Sequence, residues 1–311
     1  MSPLRGLDLA RPDTTIRYWT AGPDTAPTVV FLHGATLDHH AWDPQVAALR
    51  ERFRIVVPDL RGHGDSAGHF DFETAVEDIL VLLDHLVVDK VVLVGLSLGA
   101  NIAQAVVRRA PDRVLALVVA DATCNTATRH PLAATAGVTA LRMQALQSPA
   151  AFARQAARAT ADDPEVQQYV LDVNANRSSR ETVDILSSLL TTALAPDPEY
   201  RLPVPTLLVH GDHDRIGDIA ASLRTWAQRD PNARYAVIPH AGHASNLDNP
   251  DAFTAVLDAF LADVLPTDVL PAGAPGPLTP RRSDPARPPR SALPRARRAG
   301  HAPLQRQEQP R

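Results

Sequence analysis

A single serine lies between two glycines at the end of an apolar run. Residues 91–99 read VVLVGLSLG, which sets Ser97 in the pattern G-x-S-x-G between Gly95 and Gly99. Where this pattern joins a strand to a helix, the serine occupies a tight, strained turn that exposes its hydroxyl for nucleophilic attack. The apolar residues before the turn and the segment ANIAQAVVRR after it fit a strand and a helix. The sequence therefore predicts Ser97 as a nucleophile.

A serine hydroxyl is a weak nucleophile until a neighbouring base takes its proton. Among the 12 histidines we predict His243 as this base, because it lies in IPHAGHASNLDNP, between the last predicted strand and the last predicted helix. His240 is disfavoured because it follows Pro239 directly, too close to the strand end to swing freely. Other histidines, including His39, are expected at the surface or in loops.

The imidazole in turn needs a carboxylate that fixes its tautomer and stabilises its charged form. The segment HGDHDRIG, which follows the predicted strand Thr206–Val209, offers Asp212 and Asp214. We predict Asp214, because the loop has to extend past the sheet before it reaches His243, and we expect Asp212 to hydrogen-bond the turn. Asp121, at the end of an earlier strand, is a further candidate.

The negative oxygen of a tetrahedral intermediate needs hydrogen-bond donors that are already in place. One donor is predicted to be the backbone N–H of Leu98, directly after the nucleophile. The other is predicted in the loop HGAT at residues 33–36, where Ala35 is the first choice and Thr36 the second. His33 is expected to brace this loop with a hydrogen bond.

Short apolar runs alternate with helical patterns along the chain. This alternation predicts a sheet that brings the candidate residues together at one of its edges. Continuous β-branched runs suit strands that are covered on both faces of a parallel sheet. Alternating strands and helices imply right-handed crossovers and an α/β fold with a doubly wound, mostly parallel sheet. The stretch Leu7 to Thr20 predicts an antiparallel hairpin at one edge. Strands are predicted at Thr28–Leu32, Arg54–Val57, Lys90–Val94, Val114–Val119, Thr206–Val209 and Arg234–Ile238, and helices at Trp42–Arg52, Phe72–Leu86, Leu98–Arg109, Ile219–Gln228 and Asp251–Val264.

The segment 121–203 interrupts this alternation because it contains no strand-like run. Two of its stretches, SPAAFARQAARAT and DDPEVQQYVLDV, begin with a capping residue followed by a proline, as helices do. We predict an inserted helical cap at 121–203, between two parts of an α/β core at 1–120 and 204–265. A pocket is expected beneath the cap. Its candidate lining residues, which could equally pack the cap, are Met143, Phe152, Leu171, Ile185 and Leu189, and the arginines that could hold a substrate carboxylate are Arg142, Arg154 and Arg177.

Composition sets limits on partners and cofactors. The chain is 45% hydrophobic and 21% charged, which is typical of a globular protein, and its single cysteine, Cys124, is expected to be buried or half-buried. The tail at 266–311 holds 11 of the 28 prolines and nine arginines against three acids, so we expect it to be disordered. Without aromatic residues among these arginines, no nucleic-acid partner is expected.

The sequence has no apolar run of 18 residues and no leader-like N-terminus, so we expect a cytoplasmic protein without a membrane partner. No dinucleotide fingerprint follows the first apolar strand, and the motifs H-E-x-x-H and C-x-x-C do not occur. We therefore expect neither a cofactor nor a metal.

Five segments together resemble the α/β-hydrolase fold superfamily in order and spacing over roughly residues 15 to 263. They are FLHGATLDHHAWDPQ, VVPDLRGHGDS, VGLSLGA, LLVHGDHD and AGHASNLDNPDAF. The chain resembles the branch of lactonases, esterases and cofactor-free haloperoxidases, and most closely the 3-oxoadipate enol-lactonase-like group. The resemblance implies a triad of Ser97, Asp214 and His243 and an oxyanion hole at Ala35 and Leu98. One departure is Gly217, where many relatives carry a proline.

These features predict an enzyme, a serine hydrolase that cleaves a carboxylic ester or lactone of a small to medium apolar acyl compound through an acyl-enzyme. The same three side chains could serve a perhydrolase, a haloperoxidase or a carbon–carbon bond hydrolase. A ligand receptor on a hydrolase scaffold is the non-enzymatic alternative, although a receptor could dispense with a complete triad.

Overall fold

The computed structural model describes residues 4–127, 132–192 and 196–265. The tail at 266–311, predicted from its composition to be disordered, lies outside these residues. No helix within the described ranges is long and apolar enough to cross a membrane.

An eight-stranded sheet forms the centre of the described part of the chain, with the order β1-β2-β4-β3-β5-β6-β7-β8. Strand β2 is antiparallel to both of its neighbours, β1 and β4, and all other neighbouring strands run parallel. The strands are β1 Arg5–Ala10, β2 Thr15–Ala21, β3 Thr28–Leu32, β4 Arg54–Pro58, β5 Val91–Leu96, β6 Val114–Ala120, β7 Thr206–Gly211 and β8 Ala233–Ile238.

The predicted α/β class with a mostly parallel sheet is confirmed. Strands β1 and β2 form the antiparallel edge hairpin expected between Leu7 and Thr20. The central strands β3 and β5 are buried along their whole length, as their continuous apolar runs indicate. The boundaries differ by one or two residues, since β5 begins at Val91 and continues to Leu96.

Helices cover both faces of the sheet. Helices α2, α3 and α8 pack on one face and α1 and α10 on the other, and alternate side chains of β3 supply both cores. Val30 and Leu32 belong to the first core, and Val29 and Phe31 to the second. The helices are α1 Asp43–Leu49, α2 Phe72–His85, α3 Leu98–Arg109, α4 Ala133–Gln144, α5 Pro149–Thr160, α6 Pro164–Val173, α7 Ser179–Thr192, α8 Ile219–Arg229, α9 Ser245–Asp248 and α10 Pro250–Val264.

Helices α4 to α7 lie between β6 and β7 in the chain, and they are called the inserted helices below. Helix α4 packs on α7, and α5 packs on α6. Helices α5 and α6 begin as predicted, each with a proline that follows a capping residue. The side chains of these capping residues, Ser148 and Asp163, accept backbone N–H groups of the first turn. The domain limits at residues 121 and 203 stay a prediction.

Candidate active site

The turn between β5 and α3 holds Ser97 in a conformation that its glycine neighbours make possible. Ser97 has φ 51° and ψ −116°, which is strained for a residue with a side chain. A Cβ atom on Gly95 would lie 2.4 Å from the backbone of Ala100, and one on Gly99 would lie 2.2 Å from the carbonyl oxygen of Leu32. Both glycines are therefore required by close backbone approach, as the sequence pattern predicts.

The structure brings the three predicted side chains Ser97, His243 and Asp214 together at the carboxyl edge of the sheet. The Nε2 atom of His243 lies 2.9 Å from Ser97 Oγ, and its Nδ1 atom lies 3.0 Å from Asp214 Oδ2. The His243 side chain is 8% exposed and the Asp214 side chain 0%. Serine, imidazole and carboxylate thus form one continuous chain of hydrogen bonds, in which the imidazole and the carboxylate are buried and the serine is half-buried.

The two candidate acids in the loop after β7 have different hydrogen-bond partners. Asp214 accepts a hydrogen bond from the backbone N–H of Ile216 at 2.9 Å through Oδ1, which leaves Oδ2 for the imidazole. Asp212 accepts from the backbone N–H of Ala241 at 3.1 Å and so braces the turn, as expected. Gly217 has φ 59°, which proline cannot adopt, so a proline would not fit at this position of the loop.

Asp121, the third candidate acid, has a different position. It is fully buried and accepts hydrogen bonds from the backbone N–H of Gly211 at 2.9 Å and from the Ser245 hydroxyl at 2.5 Å. Burial, together with the nearby charge of Asp214, raises the pKa of Asp121 to about 7. Asp121 therefore ties the loop that carries Asp214 to the loop that carries His243, while Asp214 is the carboxylate that accepts the hydrogen bond from the imidazole.

Two opposing effects set the pKa of His243. Burial disfavours the charged imidazolium and lowers the pKa, whereas the hydrogen bond and charge of Asp214 and the charge of Asp121 raise it. The favourable contacts prevail, so the pKa of His243 lies above the usual value for histidine. The surroundings thus stabilise the protonated imidazole that forms when a serine loses its proton.

The two predicted oxyanion donors lie on braced backbone. Leu98 is the first residue of α3, where N–H groups have no partner within the helix. Ala35 lies in the loop after β3, which His33 braces as expected: its Nδ1 lies 2.8 Å from the Gly34 oxygen, and its Nε2 accepts from the N–H of Leu60 at 3.0 Å.

The sequence pattern of the alpha/beta hydrolase family matches residues 29–256 of the chain. The chain belongs to the alpha/beta hydrolase family. The hydrolase is 25% identical to 3-oxoadipate enol-lactonase 1 of Acinetobacter baylyi, over 82% of its own chain and 96% of that protein. Its structure is similar to the enol-lactonase of Burkholderia xenovorans, with a TM-score of 0.71 and 26% identity over 82% and 100% of the two chains. It is also similar to a thermophilic esterase from Thermogutta terrifontis, with a TM-score of 0.69 and 26% identity over 85% and 99%.

These similarities confirm the family resemblance drawn from the sequence, and they show that the protein is an α/β-hydrolase enzyme.

The inserted helices of the hydrolase are joined to the predicted oxyanion loop by side chains that sequence reasoning missed. The Tyr169 hydroxyl donates to Asp38 at 2.7 Å, and the Asn174 amide donates to the Thr36 oxygen at 2.9 Å. No local signal marks Tyr169 and Asp38 as partners, because they are 131 residues apart.

A small cavity of the hydrolase lies against this junction. Its volume is about 30 Å³, and its walls include Thr36, Phe152, Val170, Asn174 and Arg177. Among the five predicted pocket residues, Phe152 lines it, whereas Met143 is 63% exposed. The remaining three, which pack against the hydrophobic cores, are Leu171, Ile185 and Leu189.

Of the three arginines considered for a substrate carboxylate, only Arg177 lines this cavity, since Arg142 and Arg154 are exposed. Arg177 donates to the side-chain oxygen of Asn174 and to the Gly62 carbonyl, each at 3.1 Å. Burial lowers the pKa of its guanidinium.

The loop that carries His243 is also fastened to the inserted helices. Asp248 accepts hydrogen bonds from the backbone N–H groups of Asp162 at 2.9 Å and Gly242 at 2.7 Å. The backbone N–H of Ala244, next to His243, donates to the Thr160 oxygen at the end of α5 at 2.7 Å.

One histidine departs from the sequence expectations, and another belongs to a group that these expectations did not consider. His39, expected at the surface or in a loop, is buried, and its Nδ1 lies 3.0 Å from Asp59. His240 belongs to a surface group with Asp212 and His213 whose ligand atoms lie within 4.8 Å of one another. The expectation of no metal rested on contiguous motifs, whereas this group is assembled from two loops.

Proposed function

We propose that the protein is a serine hydrolase that cleaves carboxylic esters or lactones through an acyl-enzyme. Ser97 is the nucleophile, His243 the general base and Asp214 the carboxylate that orients the base. The observation that carries the proposal is the hydrogen-bonded relay from Ser97 Oγ, on its strained turn, to His243 at 2.9 Å and onward to Asp214 at 3.0 Å. Similarity to proteins named as an enol-lactonase and an esterase supports the same class of bond.

Acylation begins when the His243 Nε2 atom takes the Ser97 proton while Oγ bonds to the carbonyl carbon. The carbonyl electron pair moves to the oxygen, which the N–H groups of Leu98 and Ala35 hold, each worth about 3 kcal/mol in the transition state. Asp214 stabilises the imidazolium. When the C–O bond breaks, His243 gives its proton to the leaving oxygen, which in a lactone stays attached to the acyl chain.

Deacylation uses the same groups with water as the nucleophile. His243 takes a proton from water while the water oxygen attacks the acyl carbon, and it returns that proton to Ser97 Oγ as the ester bond to the enzyme breaks. The products are a carboxylic acid and the free enzyme. Asp214 holds the neutral imidazole in the tautomer that accepts at Nε2 at the start of each step, and it stabilises the imidazolium that forms within the step.

The cavity beneath the inserted helices supports a small acyl group. Its volume is about 30 Å³, it borders the predicted oxyanion loop at Thr36, and its apolar wall includes Phe152 and Val170. The guanidinium of Arg177 in the same wall favours a substrate that carries a carboxylate. We propose a short-chain ester or a small lactone with a nearby anionic group.

The test compares wild type, Ser97→Ala and the control Ser148→Ala, which changes a helix-capping serine in the inserted helices. Nitrophenyl acetate, butyrate and octanoate and a small lactone, each with and without a carboxylate, form the substrate panel. Ser97→Ala is expected to lose ester turnover and labelling by a fluorophosphonate, while Ser148→Ala keeps both. Undiminished turnover in Ser97→Ala would refute the proposal.

The same samples separate the other activities considered. Peroxide-dependent halogenation in acetate buffer would indicate a perhydrolase, and turnover of a dienol-ketone would indicate a carbon–carbon bond hydrolase. Saturable ligand binding without turnover of any activated ester would favour a receptor. A cytoplasmic location and the absence of nucleic-acid and membrane partners stay predictions from the sequence.

A further inference from the structure

Three side chains with metal-binding atoms meet at the surface beside the candidate active site. Asp212 and His213 come from the loop after β7, and His240 comes from the loop after β8. Their ligand atoms lie within 4.8 Å of one another, and all three residues are exposed. Two imidazole nitrogens and one carboxylate oxygen are a donor set that Zn²⁺ and similar transition-metal ions accept.

His213 is oriented as a metal-bound histidine is. Its Nδ1 atom lies 2.7 Å from the carboxylate of Asp162, and its Nε2 atom faces Asp212 Oδ1 at 3.8 Å. In metal sites, a carboxylate commonly holds one ring nitrogen of a histidine and directs the other toward the ion. The separation of 3.8 Å is close to the roughly 3.4 Å expected between two ligand atoms around a tetrahedral Zn²⁺.

The other two ligands are also held by the backbone. Asp212 Oδ1 accepts the backbone N–H of Ala241 at 3.1 Å, which restrains the carboxylate. His240 has φ 56°, a conformation that costs free energy in a residue with a side chain. This turn faces the imidazole toward that of His213, with ring centroids 6.3 Å apart and planes at 72°.

We propose that Asp212, His213 and His240 form a surface site for a divalent transition-metal ion such as Zn²⁺, with Asp162 orienting His213. Water completes the tetrahedron, because the protein supplies three ligands. Two imidazoles make the site a poor fit for Ca²⁺ and Mg²⁺, which prefer oxygen ligands.

The location of the proposed site gives a bound ion a structural effect. Asp214 follows His213 directly in the chain, and His243 lies three residues after His240. An ion would therefore join the loops that carry the base and its carboxylate, and through Asp162 it would join them to the inserted helices. Because the three ligands converge only in the folded chain, the ion is expected to raise the melting temperature.

The experiment uses the full chain after chelator treatment and dialysis. Calorimetric titration with ZnCl₂ and thermal unfolding with and without Zn²⁺ are applied to wild type, His240→Ala, His213→Ala and Asp162→Asn. His69→Ala, which removes another exposed histidine, is the matched control. Metal-free unfolding of each variant verifies that it folds, and none of the measurements depends on ester turnover.

Wild type and His69→Ala are expected to bind one Zn²⁺ and to melt at a higher temperature when it is present. His240→Ala and His213→Ala are expected to lose both effects, and Asp162→Asn is expected to bind about 10- to 100-fold more weakly. The proposal is overturned if wild type shows no binding, if binding survives in both histidine variants, or if MgCl₂ binds as well as ZnCl₂.

Discussion

Replacing Asp214 with asparagine tests the candidate relay more sharply than removing the nucleophile does. Both oxygens of the carboxylate accept hydrogen bonds, Oδ2 facing His243 Nδ1 and Oδ1 the N–H of Ile216. Asparagine offers one acceptor oxygen and one NH₂ donor. If its oxygen stays on Ile216, the NH₂ group faces Nδ1 and the imidazole proton moves to Nε2, where it blocks acceptance of the Ser97 proton.

The expected loss follows from this tautomer and from the missing charge. A carboxylate-to-amide change at this position of a triad lowers kcat by about 10⁴-fold. At about 1.4 kcal/mol per tenfold change in rate, the loss corresponds to roughly 5.5 kcal/mol of transition-state stabilisation. The matched control is Asp212→Asn, whose amide oxygen can still accept the N–H of Ala241, so its kcat is expected to stay within about tenfold of wild type.

The assay is steady-state hydrolysis of the best ester from the substrate panel, with chelator present so that the surface site is empty. Thermal unfolding of each variant verifies that the fold is kept. The assignment of Asp214 fails if its asparagine variant keeps more than about a tenth of the wild-type kcat, or if Asp212→Asn loses as much activity.

Gly99→Ala is expected to lower the free energy of unfolding by about 3 kcal/mol or more in urea titrations, because its Cβ would lie 2.2 Å from the Leu32 oxygen; wild-type stability would contradict the close approach. The pH profile of kcat/KM is expected to fall on the acid side with an apparent pKa above about 6.5, because protonated His243 cannot accept a proton and its pKa is raised; a profile flat from about pH 8 to pH 6 would contradict this. Tyr169→Phe removes the donor to Asp38 at 2.7 Å and is expected to cost about 1.5–3 kcal/mol of stability, with an unchanged melting curve as the refuting result.

Local chemistry made much of the fold predictable. The apolar run TVVFL predicts β3 with its observed limits, because a strand buried on both faces needs apolar residues at consecutive positions. The tight turn at Ser97 was equally predictable, since only glycine fits at positions 95 and 99, where a Cβ atom on Gly95 or Gly99 would meet backbone atoms. The positions of Asp214 and His243 followed from the rule that parallel strands end at one edge.

Contacts between distant segments were not predictable in the same way. The bond from Tyr169 to Asp38 joins residues 131 apart, and neither residue type marks the other. His39 was expected at the surface or in a loop, yet the structure buries it against Asp59. The Asp212, His213 and His240 group was missed for the same reason, because a search for contiguous motifs does not detect ligands from separate loops.

Asp248 limits how far the inserted helices can move relative to the general base. One acidic side chain anchors both the α5–α6 junction, at Asp162, and the peptide of Gly242 beside the general base. We expect an outward movement of that junction to displace Gly242 and, with it, the imidazole of His243 relative to Ser97. A smaller side chain in the cavity wall, such as one at Phe152, is therefore expected to enlarge the cavity with less effect on His243 than a movement of this junction.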